Sequence, residues 1–156
     1  MAFVIEKSPS VNDLAYCAGI IDGEGYIGFM RSRNGDCFGG RVGVGNTNHG
    51  LVEWLASEFG SRILVKYGPQ EHCKAQWNVF WDGRRGRDFL RAIYPYLRVK
   101  RPQARILMSY FQIMDDYRTS LGVKKIFKRS PTVFHLQDLV HQKLVELNRR
   151  GDSWRF

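Results

Sequence analysis

The amino-acid sequence predicts an α+β fold in which two helix–hairpin units follow one another and further helices complete the chain. Segments with apolar residues three or four positions apart alternate with pairs of short segments whose polarity alternates residue by residue. Their order is αββαββα, and two more helical segments follow. In this prediction the two hairpins form one four-stranded antiparallel sheet, with the helices on one face only.

Capping and turn residues delimit the elements of the first half. Ser10 and Asp13 form a capping box that opens the first helix, and the Gly23–Gly25 segment ends it because glycine readily leaves the helical conformation. The next two strands are joined across Asn34-Gly35, a dipeptide typical of tight hairpin turns. Residues 41–44 alternate in polarity, which gives the second strand one apolar face.

The second half repeats this pattern and then becomes helical. A spacing of four between Leu51 and Leu55 predicts a helix, and the alternation within 76–81 predicts a strand. Pro95 breaks the following helix, and Pro102 is well placed as the first residue of another. The predicted helices are 11–22, 49–59, 84–94, 102–117 and 131–151, and the predicted strands are 25–33, 38–46, 63–67 and 76–81.

Length and charge favour a single domain that binds a polyanion. Residues 1–156 suit one domain, with its core at 11–117 and a basic connector and helix at 118–151. Lys and Arg number 24 against 15 Asp and Glu, which gives a net charge of +9. This excess favours nucleic acid over a membrane surface, because no apolar run approaches the roughly 20 residues that span a bilayer.

Cysteine usage and the opening segment predict an intracellular protein. Cys17, Cys37 and Cys73 are odd in number and lack a Cys-x-x-Cys spacing, so they match neither a zinc site nor a disulfide framework. The first ten residues have no secretory pattern. The expected location is the cytoplasm, or an organelle if the gene is organellar.

The first helix carries short residues on one stripe. Ala15, Ala18, Gly19 and Asp22 lie three or four positions apart, and a glycine inside a helix costs about 1 kcal/mol relative to alanine. The stripe therefore packs closely, either against the sheet of its own chain or in a homodimer interface. In a homodimer a two-fold axis brings Asp22 and Glu24 next to their symmetry mates, and Mg²⁺ is the natural occupant of such a carboxylate cluster.

Three segments resemble one family. Residues 17–25, CAGIIDGEG, are similar to the LAGLIDADG motif of homing endonucleases, departing at Cys17 and conservatively at Ile20. Residues 44–55 resemble the end of the family's second strand and the helix after it. Residues 95–104 look like the segment that carries the family's active-site lysine. The resemblance implies that the αββαββα order is the homing-endonuclease fold, with a concave sheet lying in the DNA major groove.

The resemblance also implies roles for individual residues. Glu24 matches the acid that ligates the catalytic metal, Mg²⁺ or Mn²⁺, and Gly23 matches a position whose backbone carbonyl assists. Asn46 stands where the family organises water near the metal, and Lys100 matches the lysine that stabilises charge at the scissile phosphate. Asp22 matches an acid that more often stabilises the helix end than binds metal. One motif per chain implies a homodimer that hydrolyses both strands of a long, near-palindromic double-stranded DNA site and leaves 3′ overhangs. An origin in an intron or another mobile element follows from the same resemblance.

Polar residues on the strands are the candidate DNA contacts. A strand of eight or nine residues spans about 28 Å, or roughly eight base pairs, so a dimer reads on the order of 20 base pairs. Arginines on an exposed sheet face suit bidentate contacts with guanine edges, although the same side chains also suit contacts with phosphates only. The candidate DNA-binding residues are Arg31, Arg33, Arg41, Lys66, Gln76, Asn78 and Arg98.

Two other functions fit the same scaffold. An RNA-binding intron maturase would keep the fold without DNA cleavage, and a non-catalytic DNA-binding protein would keep the motif helix only as a dimer interface. The presence of both Glu24 and Lys100 favours the enzyme. Dependence of binding on intron structure rather than on a duplex site would indicate the maturase.

Overall fold

Five helices, four strands and one short 3-10 turn make up the described part of the chain. The computed structural model describes residues 8–31, 38–68, 74–122 and 130–149, apart from the side chains of Arg31, Phe38 and residues 65–67. The elements are α1 (Val11–Glu24), β1 (Gly25–Arg31), β2 (Phe38–Asn46), α2 (His49–Glu58), β3 (Arg62–Tyr67), β4 (Gln76–Asp82), α3 (Gly83–Ile93), the 3-10 turn Tyr94–Tyr96, α4 (Arg101–Ser120) and α5 (Pro131–Asn148). This order confirms the predicted α+β fold, αββαββα with two further helices.

Helix α1 begins as predicted and ends later than predicted. At its start Ser10 and Asp13 exchange side-chain and backbone hydrogen bonds, which is the capping box. The prediction that the helix ends at Asp22 is wrong, because Gly23 is accommodated within the helix. Gly25 ends it: its backbone is extended, and its N–H donates to the carbonyls of residues 20 and 21. Glu24 therefore lies on the last turn of the helix.

The four strands form one antiparallel sheet in the order β1-β2-β4-β3. Alternate residues of β1, β2 and β4 are buried under the helices, as the side-chain period of two requires: Ile27 and Phe29, Val42 and Val44, and Val79 and Trp81. We call the opposite side of the sheet the open face. Its described residues are Tyr26, Gly28, Met30, Gly39, Arg41, Gly43, Gly45, Arg62, Leu64, Gln76, Asn78, Phe80 and Asp82.

The core lies between the sheet and the helices. Trp81 of β4 stacks on Phe89 of α3 with ring centroids 3.9 Å apart, and its indole N–H donates to the carbonyl of Phe59 at 2.8 Å. Cys17 is fully buried, and burial raises the pKa of its thiol to about 12. The cysteine of the motif thus takes the place of leucine as a small apolar residue of the core.

The C-terminal helix α5 packs against β1, which is an edge strand. The Asn148 side chain donates to the carbonyl of Ile27 at 3.0 Å. The hairpin turn predicted at Asn34-Gly35, the candidate Arg33 and the basic connector at 124–129 lie outside the described residues. None of the helices in the described ranges is long and apolar enough to cross a membrane.

Candidate active site and DNA-facing surface

Three segments that are distant in sequence meet at the C-terminal end of α1. Glu24 is the last residue of α1, Asn46 is the last residue of β2, and Lys100 directly precedes α4. These are the three residues that the motif resemblance selected as catalytic. The antiparallel pairing of β1 with β2 brings Asn46 back to the end of α1, because Gly25 lies opposite Val44.

Asn46 holds the carboxylate of Glu24. The Asn46 side-chain N–H₂ donates a short hydrogen bond to Glu24 Oε2. The other end of the amide, Asn46 Oδ1, accepts from the backbone N–H of Asn48 at 2.8 Å. That second bond fixes which way the amide points. Glu24 itself is exposed, so its carboxylate is oriented and remains accessible.

Asp22 and Lys100 tie the segment before α4 to the end of α1. The Asp22 carboxylate accepts from the backbone N–H groups of Arg98 at 2.7 Å and Lys100 at 2.8 Å. The Lys100 ammonium donates to the carbonyls of Ile21 at 2.8 Å and Asp22 at 2.7 Å. Lys100 thereby binds carbonyls of the last turn of the helix and places a positive charge at the negative end of the helix dipole. Both oxygens of Asp22 serve this brace, which gives Asp22 a structural position.

The donors at this end of α1 suit a hard divalent cation. Carboxylate and carbonyl oxygens are the ligands that Mg²⁺ prefers, and it commonly takes only one or two carboxylates together with phosphate and water. Glu24 provides an exposed carboxylate, and Gly23 a neighbouring backbone carbonyl. Among the described residues no group of three His, Cys, Asp or Glu side chains is placed to enclose a metal. The described residues of one chain therefore supply two oxygen ligands for such a cation, the Glu24 carboxylate and the Gly23 carbonyl.

Sequence comparisons find no family model and no curated protein that match the chain. Solved structures do match it. The homing endonuclease I-CvuI, in complex with its target, is 17% identical over 90% of this chain and 83% of that chain, with a TM-score of 0.66. The archaeal intron-encoded homing endonuclease I-Vdi141I, complexed with DNA, is 14% identical over 88% of this chain and 85% of that chain, also with a TM-score of 0.66. The LAGLIDADG homing endonuclease I-GzeII, in complex with a DNA target, is 11% identical over 96% of this chain and 47% of that chain, with a TM-score of 0.56. The chain has the LAGLIDADG homing-endonuclease fold.

Within this LAGLIDADG fold, the motif residues 17–25 form the second half of α1 and the first residue of β1. Ala15 and Gly19 are exposed, and a side chain at Gly19 would meet nothing within 4 Å. The prediction that Ala18 belongs to the same dimer interface is wrong, because Ala18 is fully buried in the core of its own chain. Only part of the stripe of short residues faces outward, since one helix face packs on the sheet.

Sequence reasoning missed two apolar residues on the outward side of the motif helix. Val11 and Tyr16 are 63% and 59% exposed, and the Tyr16 ring contacts Trp54 with centroids 5.4 Å apart. Both side chains lie on the same outward side of the helix as Ala15 and Gly19, and they add apolar surface there. The signal was present in the sequence, because Val11, Ala15 and Gly19 follow one another at intervals of four.

On the open face, Arg41 is held by its neighbours. Its Nε and Nη2 donate to the two carboxylate oxygens of Asp82 at 2.6 and 2.8 Å. Its guanidinium carbon lies 4.6 Å from the centroid of the Phe80 ring. The hydrogen bond to Asp82 raises the pKa of Arg41 above its ordinary value. Asp82 was not predicted as a site residue, since its pairing with Arg41 depends on the register between β2 and β4.

The two amides of β4 lie flat on the sheet. A Cβ at Gly45 would stand 2.5 Å from both Asn78 Oδ1 and Gln76 Nε2, so both side chains occupy the space that this glycine leaves. Asn78 is only 5% exposed, which contradicts the alternative of an ordinary solvated position, and its contact with DNA stays a prediction. Its Nδ2 is buried without a hydrogen-bond partner. Gln76 is half-buried on the same face.

The remaining candidate DNA contacts lie at the margins of the described structure. Arg31 is the last residue of β1, and Lys66 lies in β3 at an irregularity in its pairing with β4. The side chains of both lie outside the described ones, as does the whole of Arg33. Arg98 is exposed beside the active-site end of α1, where its backbone N–H binds Asp22.

Proposed function

We propose that this protein is a homing endonuclease that cuts both strands of a long, near-palindromic DNA duplex with the help of Mg²⁺ or Mn²⁺. The observation that carries the proposal is the meeting of Glu24, Asn46 and Lys100 at the end of the motif helix. The fold alone would also suit a binding protein. A carboxylate oriented by an amide can hold a divalent cation, and an ammonium group at the same helix end can stabilise negative charge, so the three suit phosphodiester hydrolysis.

Each of the three residues has a defined task in this mechanism. Glu24 would hold the cation, with the Gly23 carbonyl beside it, and the cation would polarise the scissile phosphate and supply hydroxide from water at neutral pH. Asn46 keeps the Glu24 carboxylate in one orientation and offers its amide to water near that carboxylate. Lys100 places its positive charge where negative charge develops on the phosphate.

The proposed assembly is a homodimer formed through the outward side of α1. Ala15 and Gly19 allow a second α1 to approach closely, and Val11 and Tyr16 supply apolar surface for it. A two-fold axis along this contact brings the two Glu24 residues together, one for each DNA strand. The proposal includes cleavage of the two strands at offset positions that leave 3′ overhangs, and a role in the movement of an intron or another mobile element.

A cleavage selection tests the proposed function. The purified protein with Mg²⁺ is incubated with a randomised duplex library, beside Glu24→Gln and the matched control Glu53→Gln, which neutralises an exposed acid on α2. We expect the wild type and Glu53→Gln to enrich one long, two-fold-symmetric site. Glu24→Gln is expected to bind that site and to cut it at least roughly 100-fold more slowly, because it loses the metal's carboxylate.

Two results would contradict the proposal. Cleavage by Glu24→Gln at the wild-type rate would remove Glu24 from the chemistry. Failure of the folded wild type to cut any duplex would favour the RNA-binding maturase or the non-catalytic DNA-binding protein. Binding to structured intron RNA and to uncut duplex would then distinguish these two alternatives.

A further inference from the structure

Strand β2 presents a single functional side chain to the open face. Its other described residues on that face, Gly39, Gly43 and Gly45, are glycines. Arg41 therefore rises from a strand whose neighbouring positions add no side chain of their own. Gly28 of β1 lies directly opposite it on one side and Asp82 of β4 on the other. Arg41 is therefore the side chain through which β2 can contact a ligand on the open face.

Asp82 binds Arg41 although it stands where an aspartate would ordinarily cap a helix. It is the N-cap residue of α3, and an N-cap aspartate usually accepts a hydrogen bond from the second or third backbone N–H of the helix. Here the side chain makes no capping bond. Both of its oxygens receive the Arg41 guanidinium instead. The side chains of Arg41 and Asp82 are 29% and 54% exposed, so the pair stands at the surface of the open face, where a ligand can reach it.

The pairing leaves one edge of the guanidinium available. An arginine has five N–H donors in a planar fork, and Asp82 takes one from Nε and one from Nη2. The donors that remain, on Nη1 and Nη2, share the terminal edge of the plane. That edge has the spacing that binds O6 and N7 of guanine in the major groove. The Phe80 ring lies 4.6 Å from the guanidinium carbon and limits the movement of the guanidinium plane on one side.

The surroundings favour DNA at this position. Arg41 and Asp82 line a shallow cavity of about 500 Å³ on the open face, which Arg62, Arg84 and Arg85 also line. The arginines outnumber the one carboxylate, so the cavity as a whole attracts the DNA backbone. The carboxylate already accepts two hydrogen bonds from Arg41, and it would repel a phosphate that approached the same guanidinium. A base edge therefore suits Arg41 better than a phosphate.

We propose that Asp82 is a positioning residue that holds Arg41 for guanine, so that each half-site contains one G·C pair read by this arginine. The inference rests on the proposed function, since it concerns the same DNA. Fixing the long side chain before binding lowers the entropy lost on contact, which increases the discrimination in favour of guanine.

Base-preference profiles test this inference. The full-length protein and its variants are each used to select bound duplexes from a randomised library without divalent metal, which separates recognition from cleavage. Arg41→Lys keeps the charge and removes the fork, while Asp82→Ser removes the carboxylate and keeps a residue that caps helices well. Glu146→Gln is the control, because it breaks the exposed Lys143–Glu146 ion pair on α5.

We expect the wild type to prefer guanine at one position of each half-site. Arg41→Lys is expected to reduce that preference roughly 5- to 100-fold, and Asp82→Ser to reduce it at the same position by a smaller factor. Preferences elsewhere in the site and the melting temperature should match those of Glu146→Gln.

The possible failures are distinct. An unchanged profile for Asp82→Ser, or a weakening spread evenly over all positions, would overturn the positioning role while leaving the endonuclease intact. An even weakening would mean that Arg41 contacts phosphate. A wild type that enriches no duplex at all would overturn the proposed function itself, and this inference with it.

Discussion

At the scale of single residues, the two acids of the motif have different tasks. Asp22 binds two backbone N–H groups of the segment that leads into α4. Glu24 has a side-chain partner in Asn46 and is exposed. The first acid therefore connects two parts of the chain, and the second is available for chemistry. Lys100 takes part in both tasks. Its backbone N–H binds Asp22, and its ammonium binds the helix end beside Glu24.

Replacing Asp22 should destabilise the fold. Asp22→Ala leaves the N–H groups of Arg98 and Lys100 without their acceptor, so the free energy of unfolding should fall by about 1–3 kcal/mol in urea titrations. Asp22→Asn keeps one acceptor oxygen and should lose less. Asp116→Ala on the exposed side of α4 is the control, with an expected change within about 0.5 kcal/mol. Equal stability of Asp22→Ala and the wild type would show that the brace contributes nothing.

At the scale of the element, β2 uses adjacent glycines for opposite purposes. Gly40 faces the core, where a Cβ would stand 2.6 Å from Leu107 Cδ1 and 2.7 Å from Phe111 Cζ. Gly39 faces the other way, and a Cβ there would meet nothing within 4 Å. The strand lies close to α4 at Gly40, so Gly40 has no room for a side chain.

These neighbours provide a matched pair of substitutions. Gly40→Ala should lower the free energy of unfolding by about 1–3 kcal/mol, because the added methyl group overpacks the core against α4. Gly39→Ala should change it by less than about 0.5 kcal/mol, or stabilise slightly by restricting the unfolded chain. Thermal and urea unfolding of both variants check this. Similar losses in the two variants would mean that backbone conformation, and not packing, requires the glycines.

At the scale of the whole molecule, the proposed function depends on a second copy of the chain. A single chain supplies one exposed carboxylate at the end of α1 and one open face. Two chains related by a two-fold axis supply two of each, which matches the two strands of a near-palindromic site. The net charge of +9 would repel a second copy at long range, so the proposed dimer requires a close, apolar contact between the motif helices.

A charge on the outward side of α1 should separate the dimer. We expect the wild type to sediment at twice the chain mass of 18.1 kDa, and Gly19→Glu to sediment at the mass of one chain. The substitution places a charge in the proposed interface and leaves the helix intact, since nothing lies within 4 Å of the new Cβ. Ala92→Glu, on the exposed side of α3, should remain dimeric. A monomeric wild type that still cuts both strands would contradict the proposed assembly.

Local patterns in the sequence were enough for the element order. Capping at Ser10 and the alternation in β2 are read within a few neighbouring residues, because short-range sterics and periodicity govern them. The motif resemblance then selected Glu24, Asn46 and Lys100, and the fold brings the three together.

Tertiary structure decided which of these residues are exposed and which are paired. Arg41 and Asp82 are 41 positions apart, and a slip of one residue between β2 and β4 would separate them. Asn78 is buried because a glycine on the neighbouring strand leaves room for it, and Ala18 because α1 turns that side to the sheet. Register and packing arise from contacts between distant segments, and no local pattern contains them.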